Sequence, residues 1–121
     1  MIDSMYREHI LELYKHPRNF GNLENFTHAS HLYNASCGDD ITIRMILENG
    51  VVREVKFTGR GCALFMASAS LLTSKIKNMG KKEIMKITPE ESISLLKIPV
   101  SSVRMKCALL PLEAIQKAVG G

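Results

Sequence analysis

Apolar residues at Ile2, Met5, Tyr6, Ile10, Leu13 and Tyr14 recur three and four positions apart, which lines one face of a helix. Asp3 or Ser4 can cap its start. Pro17 ends it near His16, because the residue before a proline is pushed out of helical geometry. Residues 17–30, rich in Asn and containing Gly21, read as loop. The period then changes from helical to alternating. Ile41, Ile43, Met45 and Leu47 alternate with Thr42, Arg44 and Glu48, and only Ile46 falls out of phase. After Asn49-Gly50, the residues Val51, Val55 and Phe57 share one parity. Two such runs around Asn-Gly predict an antiparallel hairpin, and residues about 31–35 can add an edge strand.

The apolar pattern also argues a register. A two-residue Asn-Gly turn sets Ile41 opposite Thr58 and Ile43 opposite Lys56, mixing apolar and polar side chains on both faces. A three-residue loop, Glu48-Asn49-Gly50, pairs Ile41 with Phe57, Ile43 with Val55 and Leu47 with Val51. A slip of one residue turns a whole face over, so the second register is expected. Only Arg53, opposite Met45, is out of place in it.

From Ala63 to Met79 the pattern is helical again, with the small residues Ala63, Ala67, Ser70 and Ser74 on one face and Gly80 as the stop. Thr88-Pro89-Glu90-Glu91 is a helix start with a capping threonine, a first-turn proline and a glutamate three positions after the cap. That helix is expected to reach about Leu96, ahead of Pro99. A last helix covers roughly 110–119, because Pro111 is comfortable only in a first turn. Cys107 then falls at or just before a helix start.

Composition narrows the function classes. The 121 residues are 45% hydrophobic and 23% charged, an ordinary mixture for one domain over residues 1–121. There is no apolar run of membrane-spanning length, and the N-terminus lacks the apolar core of a secretory signal, so a cytoplasmic protein without membrane contact is expected. The formal charge of +4 is spread along the chain. Its densest stretch, Lys75, Lys77, Lys81, Lys82 and Lys86, has no interleaved aromatics and reads as a solvated face, so no nucleic-acid partner is expected. Three cysteines cannot all form disulfides, and in a reducing compartment they serve as ligands, nucleophiles or packing.

The hairpin decides where two of them go. Its strands finish at one open end, so Cys37 and Cys62 emerge together, flanked by Gly38, Gly59 and Gly61. Cys62 and Cys107 each sit at an expected helix N-terminus, where free N–H groups and the helix dipole lower a thiol's pKa. Arg60, Arg104 and Lys106 add positive charge nearby in sequence. Asp39, two residues after Cys37, can complete a four-ligand set for tetrahedral zinc or for sulfide-bridged iron, or it can accept N–H groups of its own turn. On this chemistry alone the site is a metal or reactive-thiol centre.

Four segments carry a family resemblance. They are Tyr14-Lys15-His16-Pro17-Arg18-Asn19 with Gly21, Asn34-Ala35-Ser36-Cys37-Gly38-Asp39, Gly59-Arg60-Gly61-Cys62-Ala63 through Ala67-Ser68-Ala69-Ser70 to Thr73, and Val103-Arg104-Met105-Lys106-Cys107. In this order they resemble the U-type iron–sulfur cluster assembly scaffolds (the IscU, NifU N-terminal and SufU-like family). The resemblance implies an α+β fold, a three-stranded antiparallel sheet with an N-terminal helix and several C-terminal helices packed on it. It implies Cys37, Asp39, Cys62 and Cys107 as ligands to iron or a [2Fe–2S] cluster, with zinc as the alternative occupant. It also implies sulfur received from a cysteine desulfurase, with Cys37 as persulfide acceptor, and transfer of clusters to apo-protein recipients.

Departures from the family pattern sharpen this. Lys106 stands where many members carry His, and it resembles the SufU-like branch, whose members bind zinc and relay sulfur. The insertion that branch usually carries before its last cysteine is absent. Val100-Ser101-Ser102-Val103-Arg104 replaces the Leu-Pro-Pro-Val-Lys stretch read by an Hsp70-type chaperone, so such a chaperone is not an expected partner. His9, His16, His28 and His31 form no motif with a cysteine, which argues against a thiol hydrolase.

Overall fold

The structure is a computed structural model and describes residues 4–120. Helix α1 (Ser4–Lys15) is followed by strands β1 (His28–Asn34), β2 (Asp39–Glu48) and β3 (Val51–Arg60), then by α2 (Ala63–Ile76), α3 (Lys81–Met85), α4 (Pro89–Ser94) and α5 (Ser102–Gly120). The strands form one antiparallel sheet in the order β1-β2-β3, so the fold is α+β. Ile2 and Asp3, assigned above to the first helix and its cap, lie outside the described residues. Among those described, no helix is long and apolar enough to cross a membrane.

The β2–β3 hairpin uses neither expected register throughout. Its turn is the two-residue one: Asn49 and Gly50 both adopt positive φ (55° and 76°), as the tightest hairpin turn requires. Glu48 therefore pairs with Val51 and Leu47 with Val52. A β-bulge then absorbs Arg53, and beyond it Met45 faces Val55, Ile43 faces Phe57 and Ile41 faces Gly59. The extra residue restores the parity that a plain two-residue turn would lose. Ile41, Ile43, Met45, Val52, Val55 and Phe57 are all fully buried as a result. Val52, not Val51, is the core residue nearest the turn.

Strand β1 begins three residues earlier than expected, at His28, and ends at Asn34 opposite Asp39. The outer edge of β3 is covered by the segment after α1, where the Gly21 N–H donates to the Phe57 carbonyl and the Phe57 N–H donates to that of Asn19, both at 2.9 Å. The Asn19 side chain in turn donates to Thr73 and Ser74 of α2, of which Ser74 belongs to the small-residue face read in the sequence.

Helix α2 stops at Ile76 rather than at Gly80. Asn78 takes the left-handed conformation there (φ 69°), and Gly80 instead opens α3. Thr88 and Glu91 form the expected capping box of α4, although that helix ends at Ser94. The largest correction concerns α5, which starts at Ser102, eight residues before the expected position, and carries Pro111 in its interior. An interior proline costs a helix about 3 kcal/mol and leaves the carbonyl four residues earlier, here that of Cys107, without its helical donor. Burial outweighs this cost. Leu110, Pro111, Leu112, Ala114, Ile115, Ala118 and Val119 are buried in α5, which lies across β1, β2 and α2. At the α2 crossing, buried Ser68 donates to the Ala108 carbonyl at 2.8 Å and holds the two helices together.

Candidate metal centre

Three segments deliver the cysteines to one end of the sheet. The turn between β1 and β2 is built by Asn34, whose carbonyl accepts from the Gly38 N–H at 2.7 Å and whose side-chain oxygen accepts from the Ser36 N–H at 3.0 Å. Gly38 supplies the positive φ of 74° that closes the turn. Cys37 is thereby held exposed, with the Asn34 amide donating to its sulfur at 3.7 Å. Asp39 follows as the first residue of β2 and is only 2% exposed. Cys62 caps α2 as expected and is half-buried.

Cys107 is placed differently from the expectation. Because α5 begins at Ser102, the residue lies inside the helix and is buried. It has no helix-terminal N–H groups to stabilise a thiolate. Burial instead pushes its thiol far above the ordinary thiol range, with the Cys37 side chain, the Asp39 carboxylate and Cys62 adding to the rise. The lowered pKa expected for this cysteine is thus corrected.

The Cys107 thiol donates to the Cys37 sulfur at 2.7 Å. One carboxylate oxygen of Asp39 joins them, and the three ligand atoms lie within 4.8 Å of one another, a group that can hold a metal ion. Cys62 is outside this tight trio but lines the same cavity of about 470 Å³, with Arg60, Gly61, Val103 and Arg104. All three cysteines are free thiols. Lys106 is exposed and lies elsewhere, in a shallow depression with Tyr33, Asn34 and Glu113.

Two features make the carboxylate a candidate ligand. Its Oδ2 is buried and has no hydrogen-bond partner, which is costly unless a cation or proton compensates it. Gly61 is also required beside it, since a Cβ there would stand 2.6 Å from Asp39 Oδ1 and 2.6 Å from the Phe65 ring. The glycines near Cys62 serve close approach as well as loop freedom. Gly59 has a φ of 146°, and a Cβ there would collide with the Asp40 carbonyl. Sequence reasoning did not reach the Asn34 contact to Cys37, although Asn34 stands in the same motif, nor the exposed His31–Asp40 pair on the sheet beside it.

A small α+β domain that gathers thiols and one buried carboxylate from three chain segments around a single cavity has the donor set that could hold a metal ion. The chain belongs to the NifU-like N-terminal domain family, whose model matches residues 5–121. It is 33% identical to the zinc-dependent sulfurtransferase SufU of Bacillus subtilis, covering 98% of this chain and 91% of that protein. That alignment spans 135 positions, more than the 121 residues here, so the relative carries residues this chain lacks. The iron–sulfur cluster assembly scaffold protein IscU of Thermotoga maritima is 30% identical over 95% of this chain and 92% of its own length. In structure, the putative SUF-system assembly scaffold of Fervidobacterium islandicum superposes with a TM-score of 0.80 at 27% identity, covering 98% of this chain and 97% of that one.

Proposed function

We propose that this protein is a scaffold on which iron–sulfur clusters are assembled before passing to apo-protein recipients, with Cys37, Asp39, Cys62 and Cys107 as ligands. The observation that carries this reading is the convergence of two sulfurs with a buried, unpartnered carboxylate oxygen. Names among its relatives support it, since scaffolds of cluster assembly recur among them.

Sulfur arrives from a cysteine desulfurase. The Cys37 thiolate attacks the terminal sulfur of the donor's persulfide, a new S–S bond forms on Cys37, and the donor leaves as its own thiolate. No net oxidation is involved. Cys37 is the acceptor because it is the exposed cysteine, on a glycine-containing turn, whereas Cys107 is buried and holds its proton. Iron and sulfide are the cargo: two electrons from an external reductant cleave the Cys37 persulfide, releasing its outer sulfur as sulfide and leaving Cys37 as a thiolate. Asp39 contributes a hard oxygen among soft sulfurs, a weaker bond to iron that keeps the cargo transferable. The reaction belongs to the cytoplasm, where thiols stay reduced.

A second reading has its own support. The Bacillus subtilis relative is a zinc-dependent sulfurtransferase, and Lys106 resembles that branch. In that reading the same four residues hold Zn²⁺, which would keep the cysteines as thiolates at neutral pH, and Cys37 takes sulfur. Anaerobic reconstitution with iron, cysteine and a desulfurase separates the two. Growth of visible iron–sulfur absorption on the protein supports the scaffold. Tight zinc, a persulfide on Cys37 by mass spectrometry and no absorption support the relay.

A further inference from the structure

Beside the cysteine cavity, and sharing Arg104 with it, lies a groove of about 280 Å³. Its floor is Ile10 and Leu11 of α1, Ala63 and Leu64 at the start of α2, and Ile98 before α5. This is where a second small core of the protein, built on Ile10, Leu13, Ala67, Leu96 and Ala108, opens to the surface. Leu11 is 52% exposed over it. Arg7 and Arg104 line the same groove, and neither forms an ion pair with any described residue. By contrast, Lys77 in the basic stretch that ends α2 already faces Glu54.

We propose that this groove is the docking site for the sulfur-donating partner, taking a segment of it that carries apolar side chains for the floor and carboxylates for the two guanidiniums. The inference rests on the sulfur-acceptor reading of Cys37. Two arginines that pair with no described carboxylate, set over an apolar floor, complement an acidic, apolar segment and repel a basic one. Position selects the donor. Ala63 directly follows Cys62, so a segment lying in the groove leads into the cavity past Arg104, with Arg60 lining the cavity as well. A persulfide is anionic near neutral pH, and the two arginines would attract it as it crosses to Cys37. Arg104 thus links docking to delivery.

The test is calorimetric titration of the protein with the cysteine desulfurase encoded in the same genome, at low and at physiological ionic strength. Wild-type affinity should fall with added salt. Arg7→Glu should weaken binding about tenfold and flatten the salt dependence, Arg7→Lys should retain most of the affinity, and Leu11→Ser should weaken it several-fold. Lys81→Glu, in the basic stretch, should bind as wild type does. Both groove positions are exposed, so the thermal midpoint should barely move, which separates lost docking from lost fold. If wild type binds and the groove variants bind equally well, the groove proposal falls while the scaffold reading stands. If the variants bind the desulfurase normally but pass clusters poorly to an apo-ferredoxin, the groove serves the recipient and the proposal is likewise overturned. A wild-type protein that does not bind the desulfurase at all overturns both readings.

Discussion

The sulfurs of Cys37 and Cys107 lie 2.7 Å apart across 70 positions of sequence, one on an exposed turn and the other inside a helix. Burial, and then the neighbouring Cys37 side chain and Asp39 carboxylate, push the Cys107 thiol up, so it keeps its proton in the metal-free protein. A bound cation removes the need for it. Substituting either cysteine with serine should lower zinc or iron(II) affinity by about 100-fold or more, read by competition with a chromophoric chelator. Affinity unchanged in Cys107→Ser would mean that the pair is packing.

Asp39 makes two separable predictions. Its buried Oδ2 is unpartnered in the metal-free protein, so Asp39→Ala should stabilise that form by about 1–3 kcal/mol, seen as a higher unfolding midpoint. The same variant should keep a reconstituted cluster longer and transfer it more slowly, because the labile oxygen ligand is gone. Faster release would contradict the role given to the carboxylate.

The raised Cys107 thiol sets a pH dependence with a definite sign. Above about pH 8.5 the unfolded chain loses this proton while the folded, metal-free protein retains it. The contribution to stability is whole below that pH and is lost as pH rises beyond it. The melting temperature of the metal-free protein should therefore fall between pH 8.5 and about pH 10, and Cys107→Ala should show a shallower fall. Metal uptake should release protons and strengthen from about pH 6 to about pH 9. A melting curve equally steep in the alanine variant would contradict the assignment to Cys107.

Gly61 faces the carboxylate so closely that alanine cannot enter without moving it. Gly61→Ala should cost about 1–3 kcal/mol in stability from crowding against Asp39 and Phe65. It should also lower metal affinity by displacing the oxygen. In an Asp39→Ala background the added effect on affinity should largely vanish. An undiminished effect there would show that Gly61 acts through Phe65 or the backbone.

The site was legible in the sequence because each cysteine stands in a local motif and the alternating runs bring two of them to one sheet end. The details escaped for physical reasons. The bulge at Arg53 allowed the tight Asn49-Gly50 turn and the apolar pairing to coexist, whereas pattern reasoning assumed an unbroken ladder and lengthened the turn instead. Pro111 reads locally as a helix start, and only the burial of α5 against the sheet and α2 carries the helix through it. That one tertiary override moved Cys107 from a helix end to a helix interior and reversed the sign of its pKa shift. Gly80 and Asn78 show the same limit on a small scale, since either can end a helix and the structure uses the asparagine.

The central claim is that one metal or cluster is held by three sulfurs and one oxygen drawn from Cys37, Asp39, Cys62 and Cys107. X-ray absorption spectroscopy of the metal-loaded protein tests it most directly. The account predicts a mixed shell dominated by sulfur with one oxygen, and loss of that oxygen in Asp39→Ala. A shell without sulfur, or one unchanged when Cys37, Cys62 or Cys107 is replaced in turn, would contradict it.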